Sequence, residues 1–345
     1  MKTKKQAADF VHVGVRLLAW FQEHGRDLPF RHTRDPYRIW ICEIIFQQTR
    51  IAQGMQHYLR FVERFPDVQA LADAKPEEVL LYWKGLGYYS RALNIHAAAQ
   101  QIINDFNGVF PRSYEDVLSL KGVGKYTAAA ICSICYGEPR AAVDGNFYRI
   151  LSRLFADDFD IASARAFSYF GELAARLMPA DKAGEFNEAM MDLGSEICRP
   201  QNPFCMYCPL QEDCLAYNTG TIAQFPVKSK KTKTLNLALT YYYVTAGEKF
   251  LVRQRGTGDI WKKLYEFPSD LPEDLKKYQV SETTVSHKLT HRNLLITIKQ
   301  IELPDTLLND MAKGHGFEIV NTNAAAEKAF PKPLQSYYEG VIRDK

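Results

Sequence analysis

Lys121-Gly122-Val123-Gly124-Lys125-Tyr126-Thr127-Ala128, preceded by Leu118-Ser119-Leu120, is the stretch on which the fold reading turns. Just upstream, Ser113-Tyr114-Glu115-Asp116 has the marks of a helix start, with Ser113 as N-cap and Asp116 reaching back in a near-capping-box arrangement. A short helix to about Leu120, a tight turn over Lys121–Gly124 and a second helix over Lys125–Tyr136 are expected. Glycine reaches backbone conformations closed to other residues and lets a ligand come close to the main chain. Gly122, Val123 and Gly124 would then offer free N–H groups at the head of the second helix, a natural seat for a phosphate. Taken alone, Gly-Val-Gly between two helices reads first as an ordinary turn.

Outward from this turn, the chain up to about residue 217 reads as helix after helix. Apolar residues recur at helical spacing in Val79–Trp83, Ile95–Ile103, Ala128–Ile134 and Phe147–Leu154. Pro66, Pro76, Gly85, Gly87 and Pro111 punctuate the pattern. No tandem repeat is present. The character changes near residue 220. Thr221–Thr234 carries Lys228, Lys230, Lys231 and Lys233 and reads as an exposed basic linker, a solvated spacer rather than a phosphate contact. Leu235–Thr245, Lys249–Gln254 and Leu294–Leu303 then favour strands. Three parts follow: a helical region over 1–220, a linker over 221–234 and an α+β domain over 235–345.

The 345 residues suffice for two or three domains with real cores. A formal net charge of +3 does not announce a nucleic-acid binder, so any such surface must come from local clustering. The start Met1-Lys2-Thr3-Lys4-Lys5 leads into no secretory segment, and no apolar run approaches a membrane span. A soluble monomer of the cytoplasm, associated with the nucleoid if the cell is bacterial, is the expectation. Its protein partners are unknown.

Seven cysteines in such a compartment argue against a disulfide framework. Cys42, Cys132 and Cys135 lie in apolar helical stretches and are expected as buried core thiols. Cys198, Cys205, Cys208 and Cys214 crowd into 17 positions as C-x6-C-x2-C-x5-C. Four soft thiolates so close imply a metal centre. Structural zinc sites usually show two short pairs, and here only one is tight, whereas a 4Fe–4S cluster accepts four thiolates from such a loop. Either way its bland role is structural, stapling a loop that presents Arg199.

The chain resembles the helix-hairpin-helix glycosylases with an iron–sulfur loop and, within them, the MutY adenine glycosylases. The resemblance rests on Leu28-Pro29-Phe30-Arg31, Asp35-Pro36-Tyr37, Glu43, Gln47-Gln48-Thr49-Arg50, Gly85-Leu86-Gly87-Tyr88-Tyr89-Ser90-Arg91, Leu120–Ala128, Val143-Asp144-Gly145-Asn146, Phe186-Asn187-Glu188 and the four cysteines. These span most of residues 26–214, in order. The resemblance implies a mainly α, two-lobed helix-hairpin-helix catalytic region with one 4Fe–4S cluster, followed by a C-terminal α+β Nudix-like domain. It also implies that the N-terminal segment returns to share a lobe with residues after about 136.

Cleaving an N-glycosidic bond requires that the leaving base be protonated and that the positive charge on the sugar be stabilised. Two carboxyl groups on opposite sides of the bond would serve. Glu43 lies in the otherwise apolar Trp40–Phe46, where burial favours the protonated form. By resemblance it protonates adenine at N7. Asp144 is the candidate for stabilising the sugar cation, although Asp before Gly-Asn at a helix start is also a common N-cap. Both roles are compatible, because a helix N-terminus favours the ionised form. Tyr126 stands where the endonuclease III branch resembles a Schiff-base Lys, and a phenol cannot form that adduct. A monofunctional enzyme that leaves an abasic site is expected, with Tyr126 and Asn146 positioning Asp144.

The target base must leave the stack. Leu86 and Tyr88, in a Gly-flanked loop, are expected as wedges, with core packing the alternative for Leu86. Arg31, Gln48 and Glu188 are carried over as contacts to the adenine or its surroundings, Arg31 alternatively as a phosphate clamp. In the C-terminal domain, Ile260-Trp261, Leu264-Tyr265-Glu266-Phe267-Pro268 and Ser286-His287-Lys288-Leu289-Thr290-His291 carry the likeness to a domain that recognises 8-oxoguanine. The family often places Phe-Ser before the second His, where this chain has Leu289-Thr290. Thr290 keeps a hydroxyl for the lesion's edge, and His291 stands beside it. The Glu-rich box of Nudix hydrolases is missing, so diphosphate hydrolysis is not expected. The implied partner is double-stranded DNA carrying adenine opposite 8-oxoguanine or G. The rivals are a same-fold glycosylase with another target, such as T opposite G, and a non-catalytic DNA-binding module.

Overall fold

A computed structural model describes residues 10–47, 49–229, 234–258 and 260–343. In chain order its helices are α1 (Val11–His24), α2 (Pro36–Ile45), α3 (Ile51–Arg64), α4 (Val68–Asp73), α5 (Pro76–Tyr82), α6 (Ser90–Asp105), α7 (Tyr114–Ser119), α8 (Lys125–Tyr136), α9 (Gly145–Leu154), α10 (Ala166–Ala175), α11 (Ala183–Asp192), α12 (Leu215–Asn218), α13 (Asp305–His315), α14 (Thr322–Ala326) and α15 (Lys332–Arg343). The strands are β1 (Leu235–Ala246), β2 (Lys249–Gln254), β3 (Tyr265–Glu266), β4 (Gln279–Leu289), β5 (Arg292–Glu302) and β6 (Glu318–Val320). Among the described residues no helix is long and apolar enough to cross a membrane.

The chain divides into two compact units, Met1–Ala72 with Ala97–Lys231 and Asp73–His96 with Thr232–Lys345. In the first, local chemistry sets the helix ends. Asp35 caps α2 by accepting from Tyr37 N at 3.0 Å, and Pro36 occupies the first helical position, where its missing N–H costs nothing. Ser113 caps α7 by accepting from Asp116 N at 3.1 Å, as its sequence predicts. Helix α8 ends on Gly137 at φ 72°, where Gly137 N and Glu138 N reach back to Ser133 and Cys132 in a Schellman-type close. The N-terminal helix does return: Val13, Leu17 and Leu18 share one core with Phe147, Leu151, Phe170, Phe186 and Leu193, against which Cys198, Cys208 and Cys214 pack.

Two expectations need correction. The basic spacer is not free along its described part. Ile161 N donates to Val227 O at 3.0 Å, Arg153 Nε donates to Phe225 O at 3.3 Å, and Asp160 accepts from both the N–H and the hydroxyl of Ser229. Lys230, Lys231 and Lys233 lie outside the described residues. Cys135 is only partly buried, while Cys42 and Cys132 are buried as expected.

In the second unit the strand order is β3-β2-β1-β5-β4, with β6 pairing β2. Strands β1 and β5 run parallel from Leu235 opposite Arg292 to Thr245 opposite Glu302, and the other pairs are antiparallel. Successive side chains point to opposite faces. Tyr241 and Tyr243 accordingly join a core with Phe250, Phe267 and α15, while Tyr242 and Val244 join another with Leu251 and α13. The segment 73–96 belongs to this unit through specific contacts. Gln254 Nε2 donates to Glu77 Oε1 at 3.0 Å, and Lys84 Nζ donates to Ala326 O at 3.3 Å. Such pairings between segments far apart in the chain cannot be read from local periodicity.

Candidate active site

Helices α2 and α8 pack together in the first unit, and Gln47 Nε2, just past the end of α2, donates to Thr127 Oγ1 at 3.1 Å. This contact sets Glu43, on α2, against Tyr126, the second residue of α8. The Tyr126 hydroxyl donates to Met191 Sδ at 3.6 Å and lies close enough to the Glu43 carboxyl to act on its ionisation. Burial raises the pKa of Glu43 to about 7; Glu188 and Asp144 add to the rise, and Tyr126 and Arg31 oppose it. A carboxyl near 7 is matched to proton donation at neutral pH. Burial also pushes the Tyr126 phenol well up, so it stays a neutral donor.

Asp144 enters from a segment without regular structure and caps α9. Its Oδ1 accepts from Asn146 N at 2.8 Å and from Phe147 N at 3.0 Å, and its Oδ2 accepts from Asn146 Nδ2 at 2.8 Å. Burial raises its pKa, against these hydrogen bonds and the charge of Arg149. Two carboxyls in contrasting settings therefore lie in one electrostatic neighbourhood, one in apolar surroundings and one wrapped in donors.

Sequence reasoning missed the charges that frame this pair. Asp192 is buried and takes Arg31 bidentately, Nη1 to Oδ2 and Nη2 to Oδ1, both at 2.8 Å. It also accepts from Arg26 N and Nε, each at 2.9 Å. Arg31 thus spends its guanidinium on a buried carboxylate, with Glu188 Oε1 at 3.8 Å from its Nε. Glu188 is buried, and burial raises its pKa. The signal was available: Glu188 and Asp192 are four residues apart and so share one face of α11. Arg149 and Arg153, both buried on α9, were also missed. Arg149 Nη2 donates to Asn146 Oδ1 at 2.7 Å and its Nε donates to Cys198 O at 2.6 Å. Their helical spacing reads as a solvated face; only the fold buries it. Gln48 lies outside the described residues.

The turn before α8 has the expected form. Gly122 adopts φ 79°, open to glycine at little cost, and Val123 is buried. Gly124 is different: its φ of −101° suits any residue, and a Cβ there would meet nothing within 4 Å. Nothing in the described protein itself requires glycine at 124.

The four cysteines form no disulfide, and each is partly buried. Arg153 Nη1 lies 3.4 Å from Cys198 Sγ and also donates to Arg199 O at 2.7 Å. Burial, with Cys198, Cys214 and Cys205 as neighbours, pushes the Cys208 thiol up to about 12. Among the described residues no three His, Cys, Asp or Glu gather tightly enough to hold a metal ion. The all-sulfur donor set under a buried guanidinium suits a thiolate-held cluster. Arg199 stacks on Phe204 at 4.5 Å.

In the second unit Tyr88 is 50% exposed, whereas Leu86 is 7% exposed. Of the two expected wedges only Tyr88 reaches solvent; Leu86 takes the packing alternative. Tyr88 sits at φ 46°, directly after Gly87, with the Arg91 guanidinium 5.1 Å from its ring. Its hydroxyl hydrogen-bonds Thr290 Oγ1 at 2.8 Å. Thr290 and His291, both exposed, form the two-residue turn between β4 and β5.

A family model described as an HhH-GPD superfamily base excision DNA repair protein matches residues 41–172, and one described as a NUDIX domain matches residues 240–340. The chain is 31% identical over 342 residues to an adenine DNA glycosylase of Buchnera aphidicola subsp. Acyrthosiphon pisum, covering 95% of this chain and 97% of that one. It is 38% identical over 219 residues to the adenine DNA glycosylase of Mus musculus, covering 61% of this chain and 42% of that one. Among solved structures, that of a thermostable thymine-DNA glycosylase matches with a TM-score of 0.56 at 32% identity, covering 60% of this chain and 95% of that one.

Proposed function

The chain belongs to the adenine DNA glycosylase family, and from that premise we propose that it removes adenine paired with 8-oxoguanine or G by hydrolysis alone, leaving an abasic site. The observation that carries this reading is Glu43 set against Tyr126, in one electrostatic neighbourhood with the capped Asp144. Glu43, with a pKa of about 7, donates a proton to the leaving base. Asp144 holds a negative charge for the developing sugar cation, kept in place by the two backbone N–H groups and the Asn146 amide. Tyr126 supplies a phenol, which forms no Schiff base, so no strand cleavage accompanies base loss.

Around this chemistry, the backbone of Gly122, Val123 and Gly124 grips a DNA phosphate, and the space beside Gly124 supports that use. Glu188 and Arg31 line the adenine's surroundings. Tyr88 wedges into the vacated duplex, and the Thr290 and His291 turn reads the lesion's edge. Cys198, Cys205, Cys208 and Cys214 hold one 4Fe–4S cluster, which supplies structure to the loop and no step of the reaction.

The test uses duplexes bearing A opposite 8-oxoguanine, A opposite G, and T opposite G, each scored before and after alkali. Alkali-dependent breaks at A in the first two duplexes are expected. Breaks only at T, the target named for the thymine-DNA glycosylase likeness, would replace this reading with that one. Breaks at A without alkali would overturn the monofunctional assignment.

A further inference from the structure

The eight residues between α8 and α9 have no regular structure, so their backbone polar groups need partners elsewhere. One side chain supplies several. Asn187, on α11, is 0% exposed. Its Oδ1 accepts from Ala142 N at 3.0 Å, and its Nδ2 donates to Ser133 Oγ at 2.7 Å and to Arg140 O at 2.8 Å. A single amide therefore ties α8, α11 and the segment that delivers Asp144, two residues beyond Ala142. So short a side chain spans these partners because the helices touch. A Cβ on Gly184, one turn earlier on α11, would lie 2.9 Å from both Ile134 Cα and Ser133 O.

A second, independent feature lies at the other end of the same rail. Helix α11 continues into a π-turn over Leu193–Ile197. A Cβ on Gly194 would lie 2.6 Å from Asn146 Cβ and Oδ1. Asn146 is the residue whose amide holds Asp144 Oδ2. Any side chain at 194 would push that amide away.

We propose that α11 and its π-turn form the positioning element for Asp144: Asn187 fixes the backbone before it, and Gly194 clears the space that Asn146 needs behind it. This rests on the reading of Asp144 as the group that faces the sugar cation. Asn187 is a positioning residue and touches no reacting atom. Displacement of a catalytic group by about 1 Å costs on the order of 100-fold in rate.

The experiment compares full-length Asn187→Ala and Gly194→Ala with Phe170→Leu, a core truncation on α10 outside the site. Single-turnover excision of adenine is followed from about pH 5 to about pH 9, with Tm and with affinity for a duplex whose target nucleotide cannot be cleaved. Both site variants should lose about 10- to 100-fold in rate beyond the control, with affinity held within about threefold. Their alkaline limb should move to lower pH, because a displaced Asp144 no longer helps raise Glu43. A rate loss equal to that of Phe170→Leu at matched Tm, with the limb unmoved, would overturn the proposal. If Asn187→Ala does not fold, Gly194→Ala carries the same readouts. Wild-type excision in the same assay tests the functional reading by itself, and faster exchange of the Ala142 amide in Asn187→Ala reads the tie without any reaction.

Discussion

Asn146 donates its side-chain amide to Asp144 Oδ2 at 2.8 Å, while Asp144 Oδ1 accepts the N–H groups of Asn146 and Phe147. One carboxylate thereby caps α9 and is oriented by its neighbour, and substitution separates the two tasks. Asp144→Asn keeps a good capping oxygen and removes the charge. Tm and affinity for the lesion duplex should stay near wild type, while excision falls by about 100-fold or more. Parallel loss of Tm and affinity would assign Asp144 to the fold alone.

Glu43 couples activity to stability with a definite sign. Its folded pKa of about 7 lies above the ordinary 4.5, so the folded state binds the extra proton between those values. Stability contributed by the protonated form is present at low pH and lost as pH rises through that window. Excision should fall above about pH 7 as the acid is lost. Glu43→Gln should abolish excision yet raise stability at about pH 8 by up to about 3 kcal/mol, and by little at about pH 4. Denaturant melts at the two pH values check this; an equal gain at both would refute the buried-acid account.

The Tyr126 hydroxyl, a donor group facing the Glu43 carboxyl, opposes the rise in its pKa. Tyr126→Phe removes that donor and keeps the ring. The alkaline limb of the excision profile should then move to higher pH. A limb that stays in place would show that the hydroxyl does not act on the ionisation that limits the rate.

Tyr88 and Thr290 share a hydrogen bond of 2.8 Å in the second unit. Thr290→Ala and Tyr88→Phe each break it. A bond of this kind is worth about 1 kcal/mol, so each variant should lose roughly three- to tenfold of the preference for A opposite 8-oxoguanine over A opposite G. The double variant should lose little more than either single one. Full additivity would mean that the two groups act separately.

The buried Arg153 guanidinium lies 3.4 Å from Cys198 Sγ, at the edge of the four-cysteine loop. Cys208→Ser should lower the iron and sulfide content of the purified protein, its visible absorbance and its Tm together. Unchanged iron with unchanged Tm would remove Cys208 from the cluster's ligands.

Much of the catalytic region was legible because its signals are local. The expected helix over Lys125–Tyr136 matches α8, and Asp144 caps α9 where Asp-Gly-Asn suggested. Strand β2 matches its expected span, whereas β4 went unannounced because its exposed face carries Ser, Glu, Thr and Lys rather than apolar residues. Arg31 was placed near the adenine but not on Asp192, which is 161 residues away in the chain.

What the sequence determined by itself was chemistry bound to short windows: the caps, the glycine turn, the four-cysteine spacing and the carboxyl in an apolar helix. Each depends on residues a few positions apart, whose geometry the backbone alone dictates. Only the tertiary structure decided which groups meet. It set Tyr126 on Glu43, enclosed Arg31 with Asp192, buried Arg149 and Arg153, and used Asn187 to hold the approach to Asp144. Those pairings follow from helices packed across long sequence separations, where burial settles a charge or an amide on the partner that the fold brings to it.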